Sequence, residues 1–174
     1  MSRPPLLRTP IPPSLRAEWA EHLAQPQADL AEGEFVVMIF RIGSERLALP
    51  IEYVREVADA GVIRPLPHAR DGLIQGITNI HGQITVCMRI EWLLRVLPSE
   101  KSSQSRLLVL VHEDWCVAAM VDEVIGVKSV SAVDQQPLPS THSGSVYSEH
   151  WLKKWDAALL DARSFMTALR QPLR

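Results

Sequence analysis

From Glu34 onward the apolar residues of this chain arrive in short β-rich runs, FVVMIF, ITNI, ITVCMRI, LLVLV and CVAAMV, with turn formers between them at close spacing. Runs of that length and punctuation favour an all-β sandwich or barrel. FVVMIF (Phe35 to Phe40) turns at Gly43 and Ser44 into RLALP, a first hairpin. IEYVREV reads as a short helix running into a strand, after which Pro65 and Pro67 interrupt the ladder. ITNI and ITVCMRI flank Gly82 as a second hairpin, and EWLLRVL is helical by the spacing of Trp92, Leu93 and Val96. LLVLV and CVAAMV flank His112 to Trp115 as a third. VYSEHWLKK and WDAALLD form a fourth pair with no glycine at the bend, and ARSFMTAL is a final helix.

A weak internal repeat runs through this pattern. Residues 47–57, LALPIEYVREV, laid on 117–127, VAAMVDEVIGV, match apolar with apolar at an offset of 70. Glu52 then falls on Asp122, Val54 on Val124 and Val57 on Val127. At an offset of 72, CMRIEWLL (87–94) lies on LLDARSFM (159–166), so each half ends in strand then helix. Two similar small β units are implied. Either alone would have a marginal core, so their packing against each other is the expected source of stability.

Residues 1–33 differ in texture and read as an appendage to a domain spanning 34–174. Six of the 13 prolines fall in the first 26 residues and bracket Ser14 to Gln25. Ser14 can cap a short amphipathic helix there, with Leu15, Trp19 and Leu23 on one face. That face would pack on its own domain or serve as a docking helix. The 174 residues, 47% hydrophobic and 22% charged, suit one globular domain or two small packed ones.

Charge and composition exclude several functions. A net charge of −2, with the 18 Lys and Arg scattered, offers no field for a nucleic-acid backbone. The two cysteines, Cys87 and Cys116, have no CxxC neighbour and give no disulfide framework. The proline-rich start is no signal-peptide core, and no run reaches the roughly 18 apolar residues of a membrane span. The expected setting is cytoplasmic, without direct insertion into a membrane.

Little in the sequence proposes a reaction. The eight glycines form neither GxGxxG nor GxxxxGK[ST], so a phosphate cradle is unsupported. No GxSxG elbow occurs, and the six histidines are spread along the chain. Glu52 with Glu56, and Glu113 with Asp114, read as solvated charge on a helix face and in a hairpin turn. His81, Cys87, His112 and Cys116 could in principle supply a tetrahedral N2S2 zinc set, which makes a small zinc-binding regulator the alternative function. Against it, both cysteines lie in core-like runs, where a free Cys is commonly buried. The expectation is no cofactor, no metal and no enzyme.

The order of elements carries a more specific signal. FRIGSERLALPIEYVREV, then RPLPHARDGLIQGITNIHGQITV, then RLLVL, MVDEVIGV and LLD, resembles the CheW-like coupling domains of bacterial chemosensory systems from Glu34 to about Leu169. The resemblance implies two SH3-like five-stranded β-barrels packed around a shared hydrophobic core, with short helices beside them. It also implies a non-enzymatic scaffold that joins the cytoplasmic tips of methyl-accepting chemoreceptors to the regulatory domain of a CheA-type histidine kinase. Such a protein sits at membrane-associated receptor arrays and can also pair with itself or with other CheW-like proteins. Its task asks for exposed apolar grooves and strand edges rather than acids and bases.

Matching motifs place the expected receptor-facing set at Val54 and Glu56 in YVREV and at Asn79, His81 and Gly82 in NIHG. Val124, Gly126 and Val127, their counterparts in the second half, are the expected kinase-facing set. For Val54 a core position in the short helix is the competing reading, and for Gly82 a tight turn needing positive φ. Two departures stand out. His81 replaces the Arg of the family's N-L-R-G, losing a permanent charge and a five-donor fork. Arg89 replaces an Asp, whereas the second half keeps Asp161 at the equivalent place. LRAEWAEHLAQ and the tail from Tyr147 look most like Wsp-type CheW-like proteins, whose pathway feeds a diguanylate cyclase response regulator.

Overall fold

The computed structural model describes residues 33–67, 72–97, 104–139 and 147–173. The Ser14 to Gln25 helix lies outside these. The strands are β1 (Phe35–Ile42), β2 (Glu45–Pro50), β3 (Val54–Asp59), β4 (Ile74–Ile80), β5 (Gln83–Met88) and β6 (Arg106–His112). They continue as β7 (Trp115–Val121), β8 (Glu123–Val130), β9 (Gln135–Pro137), β10 (Ser148–Leu152) and β11 (Ala157–Leu160). Among the described residues two α-helices accompany them, α1 (Ile90–Leu94) and α2 (Ala162–Arg170).

These strands build two sheets, one in the order β3-β6-β7-β5-β4 and one in the order β8-β1-β2-β11-β10-β9. The all-β class and the four hairpins agree with the sequence reading. The last of them bends without glycine because Asp156, at φ 52, takes the left-handed position after the 3-10 turn Lys153–Trp155. Asp tolerates that region better than most residues. The short strand β9 and the edge strand β8 were not separately legible. Gly126 interrupts the β8 run, and three residues ending in a proline carry no strand signal.

The repeat reappears as pairing register. Cys87 pairs in parallel with Ala118 in one sheet, and Leu159 pairs in parallel with Ala48 in the other. Those are the same contacts displaced by 72 on one strand and 70 on its partner. Even the irregularities repeat. The β3–β6 ladder slips at Arg55 between Val54 and Glu56, while the β1–β8 ladder slips opposite Ile39/Phe40, so that Ile125 is skipped. The repeat units are nevertheless not the two sheets. Hairpin β1–β2 joins β8, β10 and β11 of the second half, and hairpin β6–β7 joins β3, β4 and β5 of the first. Each half completes the other's sheet.

This exchange explains why the hairpin strands read as unbroken apolar runs, for they are buried on both faces. Along β1, Val37 and Ile39 enter a cluster with Ala48, Val130, Leu152 and Leu159 on one side of their sheet. Met38, Phe40 and Ile42 point the other way, into the large cluster between the sheets. In β6, Leu107 and Val109 pack with Ile80, Cys87 and Ala118, while Leu108 and Leu110 join the large cluster. Helix α2 adds Phe165, Met166 and Leu169 to that shared core. Each such side chain is worth about 1.5–3 kcal/mol when fully buried.

Polar contacts tie the halves at their turns. The Gly43 N–H donates to Asp122 Oδ2 at 2.6 Å, Asp122 N–H donates to the Arg41 carbonyl at 2.9 Å, and Arg41 Nε donates to Glu123 at 3.1 Å. Outside β4 the chain forms a strap, with Arg64 and Ile77 exchanging two backbone hydrogen bonds of 2.8 Å. Gly76 makes this approach possible, since a Cβ there would collide with the Arg64 carbonyl.

The Asp-to-Arg departure has a local structural effect. Asp161 caps α2 by accepting the Ser164 N–H at 3.2 Å. Arg89 at the start of α1 makes no side-chain cap, and its guanidinium sits 5.3 Å from the Trp92 ring centroid instead. An Asp cap is worth about 1 kcal/mol. Arg89→Asp should therefore raise stability by up to that amount, less the lost ring contact, and thermal denaturation reads it.

Beside Arg89, Glu91 is partly buried, and desolvation pushes its carboxyl above the ordinary carboxylate range, with the Asp122 charge adding to the shift. A raised acid favours the folded state at low pH and gives up that contribution as pH climbs through its folded value. Glu91→Gln should be more stable than wild type at pH 7, with the difference shrinking to nothing toward about pH 4. Paired melting curves at the two pH values test this.

Candidate functional site at the β4–β5 turn

β4 and β5 are in register up to Ile80 opposite Gln83, so their connection is the two-residue turn His81–Gly82. Both residues have positive φ, 49 and 86, the signature of the type I′ turn that matches strand twist. Glycine takes this conformation freely, whereas histidine pays about 1 kcal/mol for it. Two contacts offset that strain. Asn79 Oδ1 accepts the Gly82 N–H at 2.8 Å, and His81 Nε2 lies 3.0 Å from Glu56 Oε2.

The second contact spans a seam. β3 and β4 stand at opposite ends of the five-stranded sheet, and its curl brings their edges together. A shallow depression along the seam is lined by Val57, Ala58, Asp59, Asn79, Ile80, His81 and Arg106. Glu56 is held from its own strand as well, by Arg55 Nη2 on Oε1 at 3.1 Å. Asp59 and Arg106 pair at 3.7 Å nearby. The His81 side chain itself is 78% exposed.

Thus Glu56, Asn79, His81 and Gly82 form one contiguous surface. Val54 does not belong to it: it opens β3 rather than lying in a helix, pairs with Leu110 and packs against the shared core. Val124, Gly126 and Val127 lie on β8, an edge of the other sheet. Val124 packs against the shared core like its counterpart Val54, whereas Val127 is 51% exposed. A Cβ added at Gly126 would meet nothing within 4 Å.

The sequence reading missed a second feature beside the turn. Val62 from the strap and Ile84 from β5, 78% and 76% exposed, flank a groove floored by Ile77, Thr78 and Asn79 and edged by Arg64. Ile84 sits in an alternating strand whose register only the turn defines. Val62 follows no periodic pattern at all.

The four residues of the zinc alternative do not converge, and among the described residues no three His, Cys, Asp or Glu side chains are placed to hold a metal. Cys87 is buried with its Sγ on Gln75 Oε1 at 3.6 Å. Cys116 Sγ accepts from Arg55 at 3.7 Å, and His112 packs between Tyr53 and Trp115. The zinc reading is unsupported.

The CheW-like domain family matches residues 36–154. This chain belongs to the CheW family. It is similar to Protein FrzA of Myxococcus xanthus, 30% identical over 113 residues, covering 65% of this chain and 69% of that protein. It is also similar to the Chemotaxis protein CheW of Rhizobium meliloti (strain 1021), 26% identical over 114 residues, covering 66% of this chain and 73% of that one. The crystal structure of the scaffolding protein TtCheW from Thermoanaerobacter tengcongensis shares the fold, with a TM-score of 0.61 at 22% identity over 72% of this chain and 86% of that one. The CheW fold here runs past the matched stretch, since β11 pairs with β2 and α2 enters the shared core. Among the described residues no helix is long and apolar enough to cross a membrane.

Asn79→Ala leaves the Gly82 N–H without its partner and should cost about 1 kcal/mol. Urea unfolding of the variant beside wild type measures that loss, and an unchanged midpoint would mean that water replaces the side chain fully.

Proposed function

We propose that this CheW-family scaffold couples the cytoplasmic tip of a methyl-accepting chemoreceptor to the regulatory domain of a CheA-type histidine kinase, in chemotaxis or in a related chemosensory pathway. The observation that carries the reading is the exposed β4–β5 turn, where Asn79, His81 and Gly82 stand beside Glu56 on a surface made of a strand edge and a tight turn. Such a surface recognises a protein by shape and hydrogen bonding. Val62 and Ile84 extend it with apolar area of the kind found at interaction sites. We assign receptor contact to Glu56, Asn79, His81 and Gly82, with Val54 acting from beneath by fixing the start of β3.

Kinase contact is assigned to the β8 edge, at Val124, Gly126 and Val127. The exposure of Val127 and the open space at Gly126 support this, and Val124 serves the packing under that edge. Residues 1–33 form an extension to the scaffold domain, 34–174. A Wsp-type pathway with a cyclic-di-GMP output is the narrower reading, resting on the segments LRAEWAEHLAQ and the tail. The protein works without chemistry of its own, in the cytoplasm at the receptor array.

Co-sedimentation with a receptor signalling tip and its CheA-type kinase tests the scheme. Wild type should enter the ternary complex, His81→Ala should lower receptor-dependent recovery severalfold, and Val127→Glu should lower kinase recovery while leaving receptor binding intact. Wild type failing to bind either partner overturns the scaffold reading.

A further inference from the structure

The repeat gives the β4–β5 turn a counterpart in the second half. At the offset of 72 His81 falls on Lys153, and at the offset of 70 Glu56 falls on Gly126. The β10–β11 connection is the four-residue loop Lys153–Asp156, since Leu152 pairs with Ala157 across it. Lys153 and Lys154 are both exposed. Their loop stands beside the end of β8. Trp155 packs against the cluster that holds Val130, and Asp134, just past that strand, has its carboxyl held below the ordinary range by the Ser131 hydrogen bonds and more weakly by the Lys154 charge.

The two halves answer the charge of these turns differently. In the first, the turn meets an acid on the edge strand, His81 Nε2 against Glu56 Oε2 at 3.0 Å. In the second, the matching position on the edge strand is Gly126, whose φ of 131 suits glycine and few other residues, so no side chain stands there. Among the described residues neither lysine hydrogen-bonds or ion-pairs with a carboxylate, and Lys154 Nζ lies 4.9 Å from the Trp155 ring centroid. The acids of the loop and of the β8 edge are already engaged: Asp156 by Arg46 at 3.6 Å, Asp134 by Ser131 at 2.9 Å, Glu123 by Arg41 at 3.1 Å and Glu34 by Ser129 at 3.2 Å. The second half therefore presents two cations at the end of an edge that also exposes Ile125 and Val127.

We propose that the Lys153–Lys154 loop receives a carboxylate from the regulatory domain of the CheA-type kinase, the partner supplying to the second half what Glu56 supplies to the first. The inference rests on the assignment of kinase contact to the β8 edge and states the chemistry of the partner there: an acidic side chain next to apolar ones that cover Ile125 and Val127. Protein interfaces place charges of this kind at the rim of an apolar centre. There they speed association and select the partner more than they add affinity. An ammonium on a flexible stem suits such a rim, because it meets a carboxylate from several directions.

Affinity of the full chain for the kinase regulatory domain, measured at low and high salt, tests this, with binding to the receptor tip as the parallel readout. Wild type is compared with the double variants Lys153→Gln/Lys154→Gln and Lys153→Arg/Lys154→Arg. The glutamine variant should bind the kinase domain about fivefold more weakly at low salt, mostly through slower association, and the gap should close as salt screens the charges. The arginine variant should keep the wild-type affinity, and all three should bind the receptor tip alike. A glutamine variant that binds the kinase domain as wild type does overturns the proposal, as does a loss that is equal at both salts or one that falls on the receptor tip instead. Each of those results leaves the scaffold reading in place, whereas a wild type that binds no kinase domain overturns that reading and this proposal with it.

Discussion

The structure depends on the reciprocal loan of one hairpin by each half of the chain. β1–β2 completes the sheet built mainly from the second half, and β6–β7 completes the sheet built mainly from the first. A hairpin placed this way has apolar neighbours on both faces, one inside its sheet and one in the core between the sheets. That is why Val37 and Ile39 can face one cluster while Met38, Phe40 and Ile42 face another. A unit of this size would bury too little apolar surface alone. Sharing hairpins and a central core removes the problem and makes the halves one folding unit.

The surface proposed here as functional is a by-product of how this arrangement treats edges. β3 and β8 are equivalent in the repeat, and each ends its own sheet after a slip at the same place. A bulge increases local twist and turns an edge away from simple strand addition. What remains exposed around the bulge is side-chain surface: Arg55 and Val57 on one edge, Ile125 and Val127 on the other. The β4 edge is handled differently, by the Arg64 strap that Gly76 admits. The open parts of these two edges are therefore local.

At the turn itself the residue choice is a compromise. Position 81 demands positive φ, and an arginine or histidine there must bear strain that glycine would not. Here histidine reaches Glu56 on β3 with a single ring nitrogen, whereas an arginine would bring a permanent charge and a five-donor fork.

Much of the architecture was legible in the chain. The hairpins showed as β-rich runs around turn residues, and the 70- and 72-residue offsets relate the two parallel pairings to each other. NIHG was legible as a tight turn because a glycine beside a polar residue between two strand-forming runs has few other uses. Val54 was harder, since one residue after a 3-10 turn cannot be assigned to core or surface until its ladder partner, Leu110, is known. Val62 and Ile84 were invisible as a pair because 22 positions separate them and only the strap brings them together.

The sequence by itself determined the four hairpins, where they bend and that the chain is doubled, because those properties follow from side-chain chemistry within a few residues. Only the tertiary structure decided which half lends its hairpin to which sheet, and that His81 meets Glu56 across a seam. Both depend on contacts between residues far apart in the chain, whose energies come from burying surface together, and no local pattern encodes which partner is chosen.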